Sequence, residues 1–332
     1  AQIPDPSRNL KVLAGVLERY GFRDRWAFLD SAREQYLGMP RERCFELIRD
    51  ADAVINLCGA TEPRDEHRAA RCLVYLETDP GLFQGELARR IPAAVEFARP
   101  HKLFFTYGAN IGAADCAIPA AGVKWHATRP PILLDEWRPL AAAPSRPFTT
   151  VGTWRNYGHD LEFRGETYYW SKHVNFQLVL DVARRADQPI ELATDLASGP
   201  DYQRALAGGF TFTPVIPMSL EIDSYCDYIR QSRGEFTVAK DVYARTRSGW
   251  FSDRTACYLA AGRPVVTEFT AFEKFLPAGE GLLGFDTAEQ AVEAIRAINA
   301  DYARHARAAR AIAAEYFGAE CVLDRIAEAI GV

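Results

Sequence analysis

The chain contains no apolar run approaching the roughly 20 residues needed to span a bilayer, and no signal peptide is apparent. Neither a membrane span nor a secretory leader is therefore expected. No C-x-x-C pair occurs among its seven cysteines, which are scattered at 44, 58, 72, 116, 226, 257 and 321. That excludes a zinc pattern and suits a reducing, cytoplasmic setting. No excess of positive charge is present either: 39 Lys and Arg against 44 Asp and Glu leave a net charge of −5. Nucleic acid and anionic membranes are poor partners for such a surface. No G-x-G-x-x-G run opens a helix after a strand, so the dinucleotide fingerprint of a dehydrogenase is lacking. A G-x-x-x-x-G-K-[ST] loop and a G-x-S-x-G elbow are missing too, which disfavours P-loop and nucleophile-elbow chemistry. There are no internal repeats and no low-complexity segments.

What is present is a chain of 332 residues, 48% hydrophobic and 25% charged, ordinary for a globular protein and longer than one core usually supports. Two domains are expected, 1–140 and 148–332, joined by the Ala/Pro-rich stretch 138–147 with its three prolines. Continuous apolar runs ended by turn residues mark strands buried on both faces, as in parallel sheets. They occur at Ala53–Cys58 before Gly59, at Leu73–Leu76 before Glu77-Thr78-Asp79-Pro80-Gly81, and at Leu103–Tyr107 before Gly108. Arg25–Leu29 adds a short strand, helical spacing fills 41–51 and 91–99, and 110–134 reads as loop. The alternation restarts with strands at 148–151, 189–193, 210–216 and 236–239. Helices are expected at 171–186 and 220–231, then at 287–317 and 319–330. Strands alternating with helices imply an α/β fold with right-handed crossovers. The chain opens at Ala1 without Met, and a first strand ahead of it is expected to be missing.

The stretch Ser248–Val266 concentrates the most chemistry. Ser252 suits an N-cap, Asp253–Ala261 a short helix, and Gly262 the left-handed residue that ends it. Pro264 stops any continuation, and Val265-Val266-Thr267 begins a strand. A loop of small residues opening a helix aims backbone N–H groups and a positive dipole end at one point, where an anion can sit. Arg254 adds a fork of donors suited to phosphate oxygens.

Tyr258-Leu259-Ala260-Ala261-Gly262-Arg263-Pro264-Val265-Val266 resembles the second half of the E-A-M-A-C-G-x-P-V-V segment of nucleotide-sugar-dependent GT-B glycosyltransferases. Lys172-His173-Val174-Asn175 is likewise similar to the start of the K-G-V-D helix of that family. The resemblance covers roughly residues 148–330 and implies two Rossmann-like domains facing each other across a cleft. It places a nucleotide diphosphate on Gly249, Ser252 and Arg254, on Gly152, Thr153 and Arg155 after a strand, and on Lys172. Asp253 is expected to cap its own helix or bond the ribose and not to touch the phosphates. Arg254 and Lys172 are expected to be exposed in the free protein. Glu268 and Glu273 fall in the loop that faces the donor sugar, and Glu268 counts among the catalytic candidates. The family's ribose-holding glutamate falls on Cys257, and Asp253, one helical turn earlier, is its nearest substitute.

Two cations beside a departing diphosphate do the work that a metal does elsewhere. No D-x-D pair for a metal-bound donor is expected either, which agrees with the metal-independent class that the resemblance implies. No metal is therefore expected, and no cofactor beyond a nucleotide-sugar donor of the UDP or GDP type. The acceptor, a small molecule or a glycan, would lie on the first half, near Tyr107–Asn110. A general base is expected there among Asp79, Asp65 and Glu66, although Asp79 before Pro80-Gly81 equally suits a plain turn. His126 reads as structural. The final helix, with Val322, Leu323, Ile326 and Ile330 on one face, is expected to cross back to the first half. A nucleotide-sugar epimerase and a catalytically silent binding module of the same fold stand as rival readings.

Overall fold

Residues 7–31, 33–140 and 147–332 are described by the structure, a computed structural model. Most of the expected linker, residues 141–146, lies outside them. The apolar runs become parallel strands. Ahead of them β1 (Ala27–Asp30) and β2 (Gln35–Gly38) form an antiparallel hairpin, of which the sequence signalled only the first strand. β3 (Val54–Leu57), β4 (Leu73–Glu77), β5 (Leu103–Thr106) and β6 (Trp125–Ala127) then make a four-stranded parallel sheet in that order. β6 lies inside the stretch expected to be loop. Three residues are too few to show a period, and pairing of Trp125 with Phe104, whose rings are 5.5 Å apart, fixes it instead.

The second sheet has six parallel strands. β7 (Phe148–Val151) is followed by a small antiparallel hairpin, β8 (Leu161–Phe163) and β9 (Glu166–Tyr168), inside the long insert before Lys172. β10 (Ile190–Thr194), β11 (Phe210–Pro214), β12 (Gly234–Thr237), β13 (Val265–Glu268) and β14 (Leu282–Phe285) complete it. The spatial order is β11-β10-β7-β12-β13-β14. The chain thus winds outward one way from β7, returns beside it as β12, and winds out the other way. Open parallel sheets hold ligands outside the carboxyl ends of their strands at such a reversal.

Apolar layers cover both faces of this sheet. Phe148, Ile190 and Phe236 pack with Ile295 and Ile298 of the helix Ala288–Ala300 on one side. Tyr258, Leu259 and Val265 pack with Ile312 and Phe317 on the other. Gly279, Gly281 and Gly284 have the spacing G-x-G-x-x-G, but they lead into β14 instead of a helix. Gly281, at φ +74°, lies against the Ala308–Ala309 backbone, and Gly284 leaves room for the Phe269 ring. Gly281 and Gly284 are packing glycines, whereas Gly279, at φ +120°, faces open space.

The helix expected over 171–186 is broken into His173–Phe176 and Val182–Ala186. The backbone of Gly208 presses so close that a Cβ there would stand 1.5 Å from the Leu180 carbonyl oxygen. The Arg184 N–H accordingly donates to Gly208 O at 3.0 Å, and an inserted backbone of this kind is a usual cause of helix interruption.

The helix Ala319–Ile330 lies on the first sheet, with Val322 and Ile326 buried against Val74, Leu76 and Phe105. Leu323, expected on the same face, is instead 49% exposed, because the residues packed on the sheet follow the i, i+4 row of Val322, Ile326 and the half-buried Ile330. The strand-end loops of the two sheets meet: Asn110 N–H donates to Ser248 O (2.9 Å) and Trp250 Nε1 to Thr78 O (2.8 Å). Two Rossmann-like halves therefore face each other along their carboxyl edges.

Candidate active site

Ser252 precedes the helix Asp253–Ala260, whose buried residues Thr255, Ala256, Tyr258, Leu259 and Ala260 fix it against the second sheet. Its N-terminus stands beside Lys172, Thr237, Ala239 and Glu268, around one crevice at the carboxyl ends of β12 and β13. Gly152, Thr153 and Lys172 line a second crevice at the end of β7, so Lys172 stands between the two. The point where the sheet reverses is therefore occupied by the residues the helix and the strand ends supply.

Arg254 and Lys172 are not exposed as expected, and that expectation is corrected: Lys172 is buried, and the Arg254 side chain is only 11% exposed. Arg254 Nε donates to Glu235 Oε1 at 2.5 Å, in a pair whose side chains are 11% and 0% exposed. Its Nη1 donates to Val151 O (2.7 Å) and its Nη2 to Thr237 Oγ1 (3.2 Å). Lys172 Nζ donates to the same Thr237 oxygen at 3.0 Å, so one hydroxyl serves two cations. Burial pulls on both of these cations. In Arg254 the charge of Glu235 outweighs it and holds the guanidinium above its ordinary value. In Lys172 burial, joined by the like charge of Arg254, pushes the ammonium well below its own. A buried cation with no carboxylate of its own is unfavourable unless something anionic approaches it.

Glu268 closes the other side of this crevice. Asn175 Nδ2 donates to both of its oxygens (2.9 and 2.8 Å) and the Ala239 N–H to one of them (3.0 Å). Burial pushes its carboxyl up to about 7 despite those bonds. Glu235 is the residue that sequence reasoning missed. Its signal was an acid beside the apolar run of β12, a place where a charge must be paired.

No protein-family model matches this sequence, and no curated protein does. Solved structures do. The chain is similar to a sucrose-phosphate synthase from Thermosynechococcus elongatus, at 14% identity over 91% of this chain and 81% of that one, TM-score 0.52. AviGT4, a glycosyltransferase involved in avilamycin A biosynthesis, aligns at 11% identity over 89% and 79%, TM-score 0.56. HepE of Anabaena, solved in complex with UDP, aligns at 17% identity over 87% and 81%, TM-score 0.50.

The fold is GT-B.

The other expected residues fall at different places in this GT-B fold. Arg155 turns away from Lys172 to Asp201 (3.0 Å), whose same oxygen takes Trp154 Nε1 (3.1 Å). Gly249, at φ +74°, approaches Asn110 so closely that a Cβ would meet its backbone nitrogen at 2.6 Å, which makes it a seam residue. Asp253 is exposed, and its Oδ1 accepts the Arg254 N–H (2.8 Å) and the Ser252 hydroxyl (3.3 Å). Ser252 precedes the helix without a side-chain capping bond. Cys257 packs against the apolar layer behind the helix, and burial raises its thiol. Glu273 accepts from Arg247 Nη2 at 3.3 Å. A D-x-D run does occur, at Asp50-Ala51-Asp52, which corrects the expectation of none; it precedes β3 and is engaged by Arg49 and Arg71 at the surface.

On the first half, Asp79 is committed across the seam. It pairs with Lys240 at 2.9 Å and accepts the Tyr243 hydroxyl. Burial raises its carboxyl, but the charge and hydrogen bond of Lys240 and the bond from Tyr243 bring it below its ordinary value. Lys240 in turn lies 3.6 Å from the centre of the Trp170 ring. Asp65 opens the exposed helix Asp65–Arg68 and lines neither crevice; its neighbour Glu66 pairs with Arg64 at 2.6 Å. The acid deepest in this half is Glu77, which accepts from Gln84 Nε2 and from Thr106 Oγ1 (3.0 Å) and is pushed by burial up to about 8.

Proposed function

We propose that this protein transfers a glycosyl group from a nucleoside-diphosphate sugar, of the UDP or GDP type, to a small-molecule or glycan acceptor, without a metal ion. The observation that carries the reading is the convergence of two largely buried cations, Lys172 and Arg254, on Thr237 Oγ1 where the six-stranded sheet reverses. Fixed positive charge in a site with little water stabilises a departing diphosphate strongly, because no reorganisation is needed as the bond breaks. Arg254, anchored by Glu235, supplies a charge that cannot move. Lys172, without a carboxylate of its own, supplies one that gains by the diphosphate's arrival. Glu268 beside them is suited to the hydroxyls of the donor sugar. HepE of Anabaena, similar in fold, was solved with UDP and with UDP and glucose, which favours a UDP donor here.

On this reading the half 148–332 holds the donor and the half 1–140 the acceptor. Asp79 acts as the base once Lys240 releases it, and Asp65 is the alternative. The test is incubation with a panel of nucleotide sugars, following released nucleoside diphosphate. Release that depends on an acceptor supports transfer. An epimerised sugar with no release would replace it with epimerase chemistry, and binding without either would leave a binding module. Failure of every nucleotide to bind would overturn the reading altogether.

A further inference from the structure

The hollow between the first sheet and the returning helix plays no part in the reading above. It is open to solvent and floored by Phe105, Val322 and Ile326. Three basic side chains rim it: His126, Arg129 and Arg325. The His126 ring lies 5.3 Å from that of Phe105, tilted by 39°. Arg129 gives one donor to Phe275 O (3.2 Å) and lies 5.5 Å over the Tyr316 ring, which leaves most of its fork unused. Arg325 is exposed on the same helix as Val322 and Ile326, and among the described residues it makes no hydrogen bond or ion pair. Burial and the like charge of Arg325 pull Arg129 below its ordinary value, and no carboxylate offsets them. Burial and the nearby Lys124 lower His126 in the same direction. The two guanidinium cations, Arg129 and Arg325, held together over an apolar floor without a counter-charge repel each other, and an anion in the hollow would relieve that repulsion.

We infer that this hollow binds a small phosphate monoester with an apolar body, its oxyanion on Arg129 and Arg325 and its body on Phe105, Val322 and Ile326. Two guanidinium forks match a dianionic phosphate in charge and in donor geometry. The ligand would touch the first sheet and the returning helix at once, and so fasten the second half to the first. A ligand that binds only the folded chain raises its melting temperature in step with its concentration.

Phenyl phosphate is the probe, titrated calorimetrically into the full chain with UDP present in excess. Binding is expected to persist under UDP and to weaken as salt rises. It should also weaken about tenfold or more in Arg325→Ala, the loss of one charge-assisted hydrogen bond. Arg325 is exposed, so this variant keeps its fold. In a second variant, Ala329→Phe, the new ring fills the hollow, and phenyl phosphate binding should disappear while the circular dichroism spectrum is retained. The site is overturned if phenyl phosphate does not bind, if UDP displaces it, or if Arg325→Ala binds it as tightly as the unaltered chain.

Discussion

The two parallel sheets are built from the same kind of strand, yet only one makes a ligand point of its own. In the six-stranded sheet the order reverses between β7 and β12, and the crevice that opens there gathers Lys172, Arg254, Glu235 and Glu268. In the four-stranded sheet the order β3-β4-β5-β6 runs without reversal. Its strand ends offer Glu77, buried and hydrogen-bonded within its own half, and Asp79, tied to Lys240 of the other half. Topology thus decides which half can assemble a charged pocket alone. The first half must borrow a partner across the seam, and its acid is correspondingly more exposed and less committed in energy.

The largest expected effect tests that contrast directly. Glu235→Ala removes the partner of a largely buried guanidinium and should cost about 3–5 kcal/mol of stability, the usual result of stranding a buried charge. Urea unfolding measures it, and a loss below about 1 kcal/mol would show that Arg254 finds another partner at little cost. Lys172→Met should weaken UDP binding by about 1.5–3 kcal/mol in calorimetry. It should leave stability unchanged or raised, since a cation beside Arg254 is removed. UDP binding to the unaltered chain should also take up protons, because a diphosphate raises the lowered pKa of Lys172. Enthalpies measured in buffers of different ionisation heat read that uptake, and no dependence on buffer would separate Lys172 from the diphosphate.

The third effect concerns pH. Glu77, raised to about 8, and Glu268, raised to about 7, each contribute stability that is full below the ordinary glutamate range near 4.5. That contribution is lost as pH rises through 8 and 7 respectively, at up to about 1.4 kcal/mol per pH unit for each group. Glu77→Gln should flatten this fall between pH 4.5 and 8, and Glu268→Gln the part below 7. Denaturant midpoints across that range check it; an unchanged slope in Glu77→Gln would mean that Glu77 is ionised throughout. Smallest is Asp79→Asn. Its pair with Lys240 leaves Asp79 47% exposed, so about 1 kcal/mol or less is expected. A cost equal to that of Glu235→Ala would erase the difference between the two halves.

Local signals carried a good part of this fold. The helix at Asp253–Ala260 and the strands at Val54–Leu57, Phe148–Val151 and Val265–Glu268 were legible because each apolar run is closed by a residue with backbone consequences, such as Gly59, Gly152 or Pro264. Elements fixed by tertiary contact were not legible. β6 exists through its aromatic neighbour, β14 carries a glycine that only the Phe269 ring explains, and the helix after Lys172 breaks where Gly208 intrudes. In the site, the direction of the side chains was not readable. Arg254 could be assigned to a phosphate from its place at a helix start, but its burial on Glu235 depends on an acid from a different strand. Arg155 follows a strand end as expected, yet Asp201, on a helix far along the chain, draws it aside.

The returning helix has a consequence for the order in which the chain is made. Val74, Leu76 and Phe105 leave the ribosome long before the residues that cover them, Val322 and Ile326. At roughly 5–20 residues per second, that apolar face waits on the order of tens of seconds for its lid. During synthesis the first half is therefore a nascent sheet with one open side, and the helix that finishes it arrives only after the whole second half has been produced.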